Sequence, residues 1–179
     1  MRNIGLFCAA SDKLDCKYYE WAEVFGRMVG ECGGTLVYGG ANSGLMESAA
    51  RGVKKAGGKV IGIVPAVLET RRRVSGYVDE VVPCCDLSDR KAIMVERSDV
   101  LVALPGGIGT LDEVFTVMAA HSIGYHRKKV VLFSLDGFWD ALVAVLHEMD
   151  VRGFVNVPLS EYLAVARSWE ELRGMLETE

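Results

Sequence analysis

Hydrophobic positions in this chain follow two rhythms that take turns. Short unbroken apolar runs alternate with longer stretches in which apolar residues recur every three or four positions, and this reads as strands alternating with helices. "NIGLFCAA" (Asn3 to Ala10) predicts a buried strand, with Ser11 and Asp12 as the N-cap of a helix whose Tyr18, Trp21, Phe25, Met28 and Cys32 share one face. Gly33 and Gly34 stop that helix. "TLVYGG" predicts a second strand, "SGLMESAARGVKKAGG" a helix ending at Gly57 and Gly58, and "KVIGIVP" a third strand closed by Pro65. A shorter fourth strand, "YVDEVVP", leads to the helix "DLSDRKAIMVERS". The fifth strand, "DVLVALPGG", leads to a helix from about Thr110 to Ser122. "KKVVLFS" is a sixth strand, followed by the helix "GFWDALVAVLHEMDVRG". "EYLAVAR" predicts a late strand and "SWEELRGMLE" a terminal helix, with Ser168 and Glu171 as its capping box.

Such alternation implies parallel pairing through right-handed crossovers. The runs "VLVAL" and "VVLF" suit strands covered on both faces. No repeat, low-complexity segment or linker divides the chain, so residues 1–179 are expected to form a single α/β domain, a doubly wound and mostly parallel sheet with helices on both faces. Ligands of such sheets bind at the carboxyl ends of the strands, where Gly39-Gly40 and Gly106-Gly107 fall. The fourth and fifth strands are expected to be neighbours, which would open the helix starts near Asp86 and Thr110 at the same edge.

Composition narrows the function classes. A chain of 179 residues, half hydrophobic and a quarter charged, suits one globular domain. Its net charge of -4 speaks against a broad nucleic-acid surface but allows a small basic pocket. No apolar run approaches the roughly 20 residues that cross a bilayer, and "MRNIGLFCAASDK" does not read as a signal peptide, so a cytoplasmic location is expected. The five cysteines form no CxxC pair, and they read as free thiols rather than metal ligands.

Two strand-to-helix turns stand out, "YGGANSGLM" and "LPGGIGTLDE". Neither fits GxGxxG, and neither carries the GK[ST] of a P-loop. Both offer backbone N–H groups at a helix start, where the dipole favours an anion. For the first, a simple tight turn is an equal reading; for the second, phosphate binding is favoured. With no Lys in the loop, a mono- or diphosphate is expected. Thr110 adds a hydroxyl donor.

Asp112 and Glu113 read as first-turn residues of their helix, where the dipole favours carboxylates and lowers their pKa. A phosphate held at the same helix end would repel them unless a cation stood nearby. Arg90 and Lys91 supply candidates, since they open a helix at the end where positive charge is unfavourable. The planar fork of Arg90 suits oxyanions; pairing with Asp86 or Asp89 is the plainer alternative. Arg71-Arg72-Arg73 reads as a solvated loop or as a lid over the phosphate. His121, His126, Phe138, Trp139 and Trp169 read as structural.

Taken together, "VYGGANSGLM", "GGKVIGIVP", Arg90-Lys91 and "LPGGIGTLDE" resemble the Lonely Guy family of cytokinin riboside 5'-monophosphate phosphoribohydrolases, also labelled lysine decarboxylase-like. The resemblance runs from "FCAAS" to "DGFWDALVAVL", and PGGxGTxxE matches Pro105 to Glu113 without a gap. It implies a Rossmann-like fold, a homodimer or larger assembly with its site near the subunit interface, no cofactor, and hydrolysis of a nucleoside 5'-monophosphate to a free base and ribose 5-phosphate. It implies Arg90 and Glu113 as the catalytic pair. Lys91, Gly106, Gly107, Gly109 and Thr110 become substrate contacts, with Gly40, Asn42 and Ser11 from the other turns. The departures cluster at the base end: Leu87-Ser88-Asp89 before Arg90, "AAHSIG" at 119–124, and Ala9-Ala10-Ser11 in the first turn. A non-catalytic nucleotide carrier on the same scaffold is the alternative. An amino-acid decarboxylase is disfavoured, because no Schiff-base lysine with a partner for a pyridinium nitrogen is evident.

Overall fold

The computed structural model describes residues 2–70 and 73–177. Seven strands, β1 (Asn3–Phe7), β2 (Thr35–Tyr38), β3 (Lys59–Pro65), β4 (Glu80–Cys84), β5 (Val100–Ala103), β6 (Val130–Phe133) and β7 (Leu163–Ala166), form one sheet in the order β4-β3-β2-β1-β5-β6-β7. Every pairing is parallel. The helices α1 (Cys16–Glu31), α2 (Gly44–Lys55) and α7 (Trp169–Glu177) cover one face, burying Phe25, Leu45, Val53 and Leu172 against it. The other face carries α4 (Leu87–Arg97), α5 (Ile108–Ser122) and α6 (Asp140–Val151), with Met94, Val114, Val117 and Leu146 in the second core. A short α3 (Ala66–Thr70), which the sequence pattern did not suggest, follows β3.

The expected adjacency of the fourth and fifth strands is incorrect. β4 is the edge of the sheet, and β5 lies beside β1. Pro83 carries the reason: it has no N–H for a second ladder, which suits a strand paired only with β3. From that edge α4 crosses back beneath β3, β2 and β1, and this crossing, rather than strand adjacency, lets Arg90 reach Gly39 at the end of β2 and Glu113 of α5. The winding direction reverses between β1 and β5, so a crevice opens above their carboxyl ends.

Helix starts also differ from expectation in detail. Asp15, not Ser11 or Asp12, caps α1 by accepting the Lys17 N–H. The capping box of α7 is present, its Ser168 hydroxyl accepting the Glu171 N–H, while the Glu171 carboxylate reaches back to the N–H of Arg167 rather than that of Ser168.

Candidate active site

Two glycine-rich turns meet at the crevice, and their helix ends are in different states. At α2 the first N–H groups are already taken. Asp12 accepts the Gly44 N–H at 2.7 Å and the Ala9 carbonyl accepts that of Leu45 at 2.9 Å. Gly40 has a φ of +73°, and a Cβ there would lie 2.5 Å from Val64 Cγ2, so the turn itself requires glycine. The tight-turn reading therefore accounts for Gly40. Asn42, on the same turn, is exposed and donates its N–H to the Arg73 carbonyl.

At α5 the situation is reversed. The helix begins at Ile108, two residues earlier than expected, with Gly107 as an N-cap that supplies no side-chain acceptor. Among the described residues no protein acceptor serves the N–H groups of Ile108, Gly109 or Thr110. Gly107 and Gly109 have open space where a Cβ would stand and no left-handed backbone. Local packing does not demand glycine at either position, which leaves a bare, outward-facing cradle of donors at a positive helix end. Gly106 differs, since a Cβ there would lie 2.1 Å from Thr110 Oγ1. Thr110 is buried and braces the turn from inside rather than standing out as a separate donor.

The earlier start puts Asp112 and Glu113 in the second turn of α5, beyond the reach of its end dipole. Arg90 Nη2 of α4 donates to Glu113 Oε1 at 3.1 Å, and both side chains are mostly buried. Gly39 gives the guanidinium room: a Cβ there would stand 3.2 Å from Nη1. The buried Nε of Arg90 has no hydrogen-bond partner among the described residues. The expected fall in the Glu113 pKa is overturned. Burial pushes it up to about 7, with the Asp112 charge adding to the rise, and Arg90 and Lys91 offset only part of it. Cys8, at the end of β1, is buried beside Glu113, and burial together with that carboxylate holds its thiol well above the usual range.

Lys91 does not join Arg90. Its ammonium is held by Asp112 at 2.7 Å and by the Thr116 hydroxyl at 3.0 Å, tying α4 to the outer side of α5. Ser11 accepts the Lys13 N–H and lines a cavity of about 280 Å³ beside the turn that opens α5. That cavity also reveals residues the sequence reading took for core. Tyr18 and Phe138, edge to face at 6.0 Å, form its aromatic wall above Pro105, Gly106 and Gly107. Their spacing in the sequence looks like ordinary core periodicity, and only the folded loops bring them together. Trp139 is buried as expected, with its Nε1 donating to the Ala103 carbonyl. The choice between solvated loop and lid falls on Arg71 and Arg72, outside the described residues; Arg73 is exposed.

A Rossmann-like α/β fold with unserved helix-end donors beside a buried Arg–Glu pair is an arrangement that can hold an anion next to an ionisable carboxyl. The comparisons with known proteins agree. Residues 46–175 match the family described as "possible lysine decarboxylase", and the chain belongs to it. It is 35% identical over 176 residues to a probable cytokinin riboside 5'-monophosphate phosphoribohydrolase of Oryza sativa subsp. japonica, covering 98% of this chain and 72% of that one. A cytokinin riboside 5'-monophosphate phosphoribohydrolase of Arabidopsis thaliana is also 35% identical, over 98% of this chain and 82% of its own. Among solved structures, the molybdenum cofactor carrier protein of Chlamydomonas reinhardtii superposes with a TM-score of 0.77 at 26% identity, covering 98% of this chain and 96% of that one. The molybdenum cofactor binding protein of Rippkaea orientalis gives 0.75, also at 26% identity, over 98% and 95% of the two chains.

Proposed function

We propose that the chain hydrolyses the N-glycosidic bond of nucleoside 5'-monophosphates, AMP or a cytokinin riboside monophosphate, releasing free base and ribose 5-phosphate. The observation that carries this reading is the juxtaposition of the unserved α5 N-terminus with the Arg90–Glu113 pair one turn further on. The phosphate rests on the N–H groups of residues 108–110, and the ribose extends toward Glu113. As the C1'–N bond breaks, its electron pair leaves with the base and positive charge builds on the ribose, which an ionised Glu113 stabilises. Glu113 then takes a proton from the water whose oxygen bonds to C1' and passes it to the departing base nitrogen, which restores the carboxylate. A carboxyl with a pKa of about 7 exchanges protons in both directions near neutrality. Arg90 orients that carboxyl and reaches the sugar phosphate through its remaining donors.

A decarboxylase using pyridoxal phosphate does not fit these residues. The lysine nearest the pair, Lys91, is committed to Asp112 and Thr116 rather than presented to a carbonyl. The structural likeness to molybdenum cofactor carriers supports a second reading, a nucleotide-type carrier without turnover. Incubation with a panel of nucleoside monophosphates, following released base, separates the two. Release is the expected result; tight binding without release would favour the carrier.

The assembly we propose is a homodimer formed through the α4–α5 face. Leu87, Ile108, Phe115, Ile123 and Tyr125 are exposed along these two helices and the turn that follows α5, apolar surface that a second copy would cover.

A further inference from the structure

At the amino edge of the sheet, opposite the Arg90–Glu113 pair, lies a cleft of about 880 Å³. Its floor is apolar, made by Val100, Val131 and Met175, and its rim carries Arg2, Arg127, Lys128 and Lys129. None of these four cations has a carboxylate partner among the described residues, whereas Lys17, Arg51, Lys54, Arg97 and Arg167 elsewhere on the surface are each paired. The two carboxylates that line the cleft are engaged elsewhere. Asp99 accepts the Asn3 N–H at 2.7 Å, and Glu171 accepts that of Arg167 at 2.7 Å. Lys128 donates to the Val95 and Glu96 carbonyls near the C-terminal end of α4, which fixes its ammonium in place. His126 completes the wall with a buried Nε2 that has no partner among the described residues, and burial together with His121 and Lys128 disfavours its charged form. A local excess of positive charge thus persists in a chain whose net charge is -4.

We propose that this cleft is a second ligand site that takes a nucleoside di- or triphosphate, with its ring on the apolar floor and its phosphates among Arg2, Arg127 and Lys129. The volume lies in the range of small-molecule sites, and an apolar floor with a few convergent charges is the usual composition of such sites. A chain with this net charge and one confined basic cleft does not suit a nucleic-acid track. Lys128, on the wall of the cleft, is bonded to carbonyls at the far end of α4, the helix that carries Arg90, so the cleft is linked to that helix through one side chain.

Calorimetric titration of the full chain with ATP, without divalent metal and with excess AMP present, tests this. One ATP site per chain that AMP does not displace is expected. Its affinity should fall at least tenfold in Arg127→Glu/Lys129→Glu and at least threefold in Arg127→Gln/Lys129→Gln, and raised salt should weaken it further. Both side chains are exposed and unpaired, so an unchanged thermal unfolding curve establishes that the variants fold. Inorganic triphosphate should bind more weakly than ATP, because it leaves the apolar floor uncovered. ATP binding that AMP abolishes, or equal affinity in wild type and both variants, overturns the proposal, as does equal binding of triphosphate and ATP. All three proteins are titrated in the Glu113→Gln background, where AMP occupies its site without being consumed, so the result stands whether or not the chain hydrolyses nucleotides.

Discussion

Glu113 shows how one buried side chain sets both chemistry and stability. With its pKa at about 7, kcat/KM should rise with pH along a limb centred near 7, and Asp112→Asn should move that limb to lower pH by removing a charge that raises it. A pH–rate profile checks both; a flat profile from pH 5 to 9 would contradict them. Stability follows the opposite sign. The unfolded carboxyl ionises near 4.5 and the folded one near 7, so the folded state binds more protons across that window and loses stability as pH rises through it. At about 1.4 kcal/mol per pKa unit, the whole loss amounts to about 3–4 kcal/mol, of which about 2–3 kcal/mol falls between pH 5 and pH 8. Denaturant unfolding at pH 5 and pH 8 should show this fall in wild type and its absence in Glu113→Gln. The sequence made Glu113 visible as a candidate but gave the wrong direction for its pKa. The dipole argument assumed a first-turn position, whereas burial beside Cys8 and Arg90 depends on contacts between distant segments.

At the level of elements, the two glycine-rich turns look alike in sequence and differ in use. Gly107→Ala should fold normally, since open space awaits its Cβ, yet weaken nucleotide binding several-fold by crowding the cradle. Gly40→Ala should do the reverse, costing about 1–3 kcal/mol through a left-handed backbone and the Val64 clash while leaving the α5 donors in place. Thermal unfolding and nucleotide titration of both variants separate the two roles; a destabilised but fully binding Gly107→Ala would contradict the assignment. The start of α5 was misread because Ile108-Gly109 lacks helix propensity, and the helix is instead continued by the packing of Thr110 under Gly106. Asp12 was read as a cap for its own helix. Its partner is Gly44, 32 residues away, a pairing no local pattern announces.

For the whole molecule, the alternation of strands and helices was legible because each apolar run is strong and each break is marked by glycine or proline. The strand order was only half legible. Sequence order suggested β5 as the neighbour of β4, the edge signal in Pro83 went unread, and the long return of α4 beneath the sheet is a tertiary fact. Phe138 and Tyr18 were hidden for a similar reason, since the wall they build exists only once the β1–α1 and β6–α6 loops meet. Assembly is tested at this scale. Size-exclusion chromatography with light scattering should give twice the chain mass, and Phe115→Asp should reduce it to the monomer; a monomeric wild type would remove the α4–α5 interface from the account.

The central claim is that the N-terminus of α5 holds the phosphate while Glu113 faces the ribose. A crystal structure of Glu113→Gln soaked with AMP measures this directly. The account predicts the phosphate on the N–H groups of residues 108–110, with C1' turned toward Gln in place of Glu113 and Arg90 alongside. A nucleotide seated elsewhere, or a ribose turned away from that side chain, would contradict it.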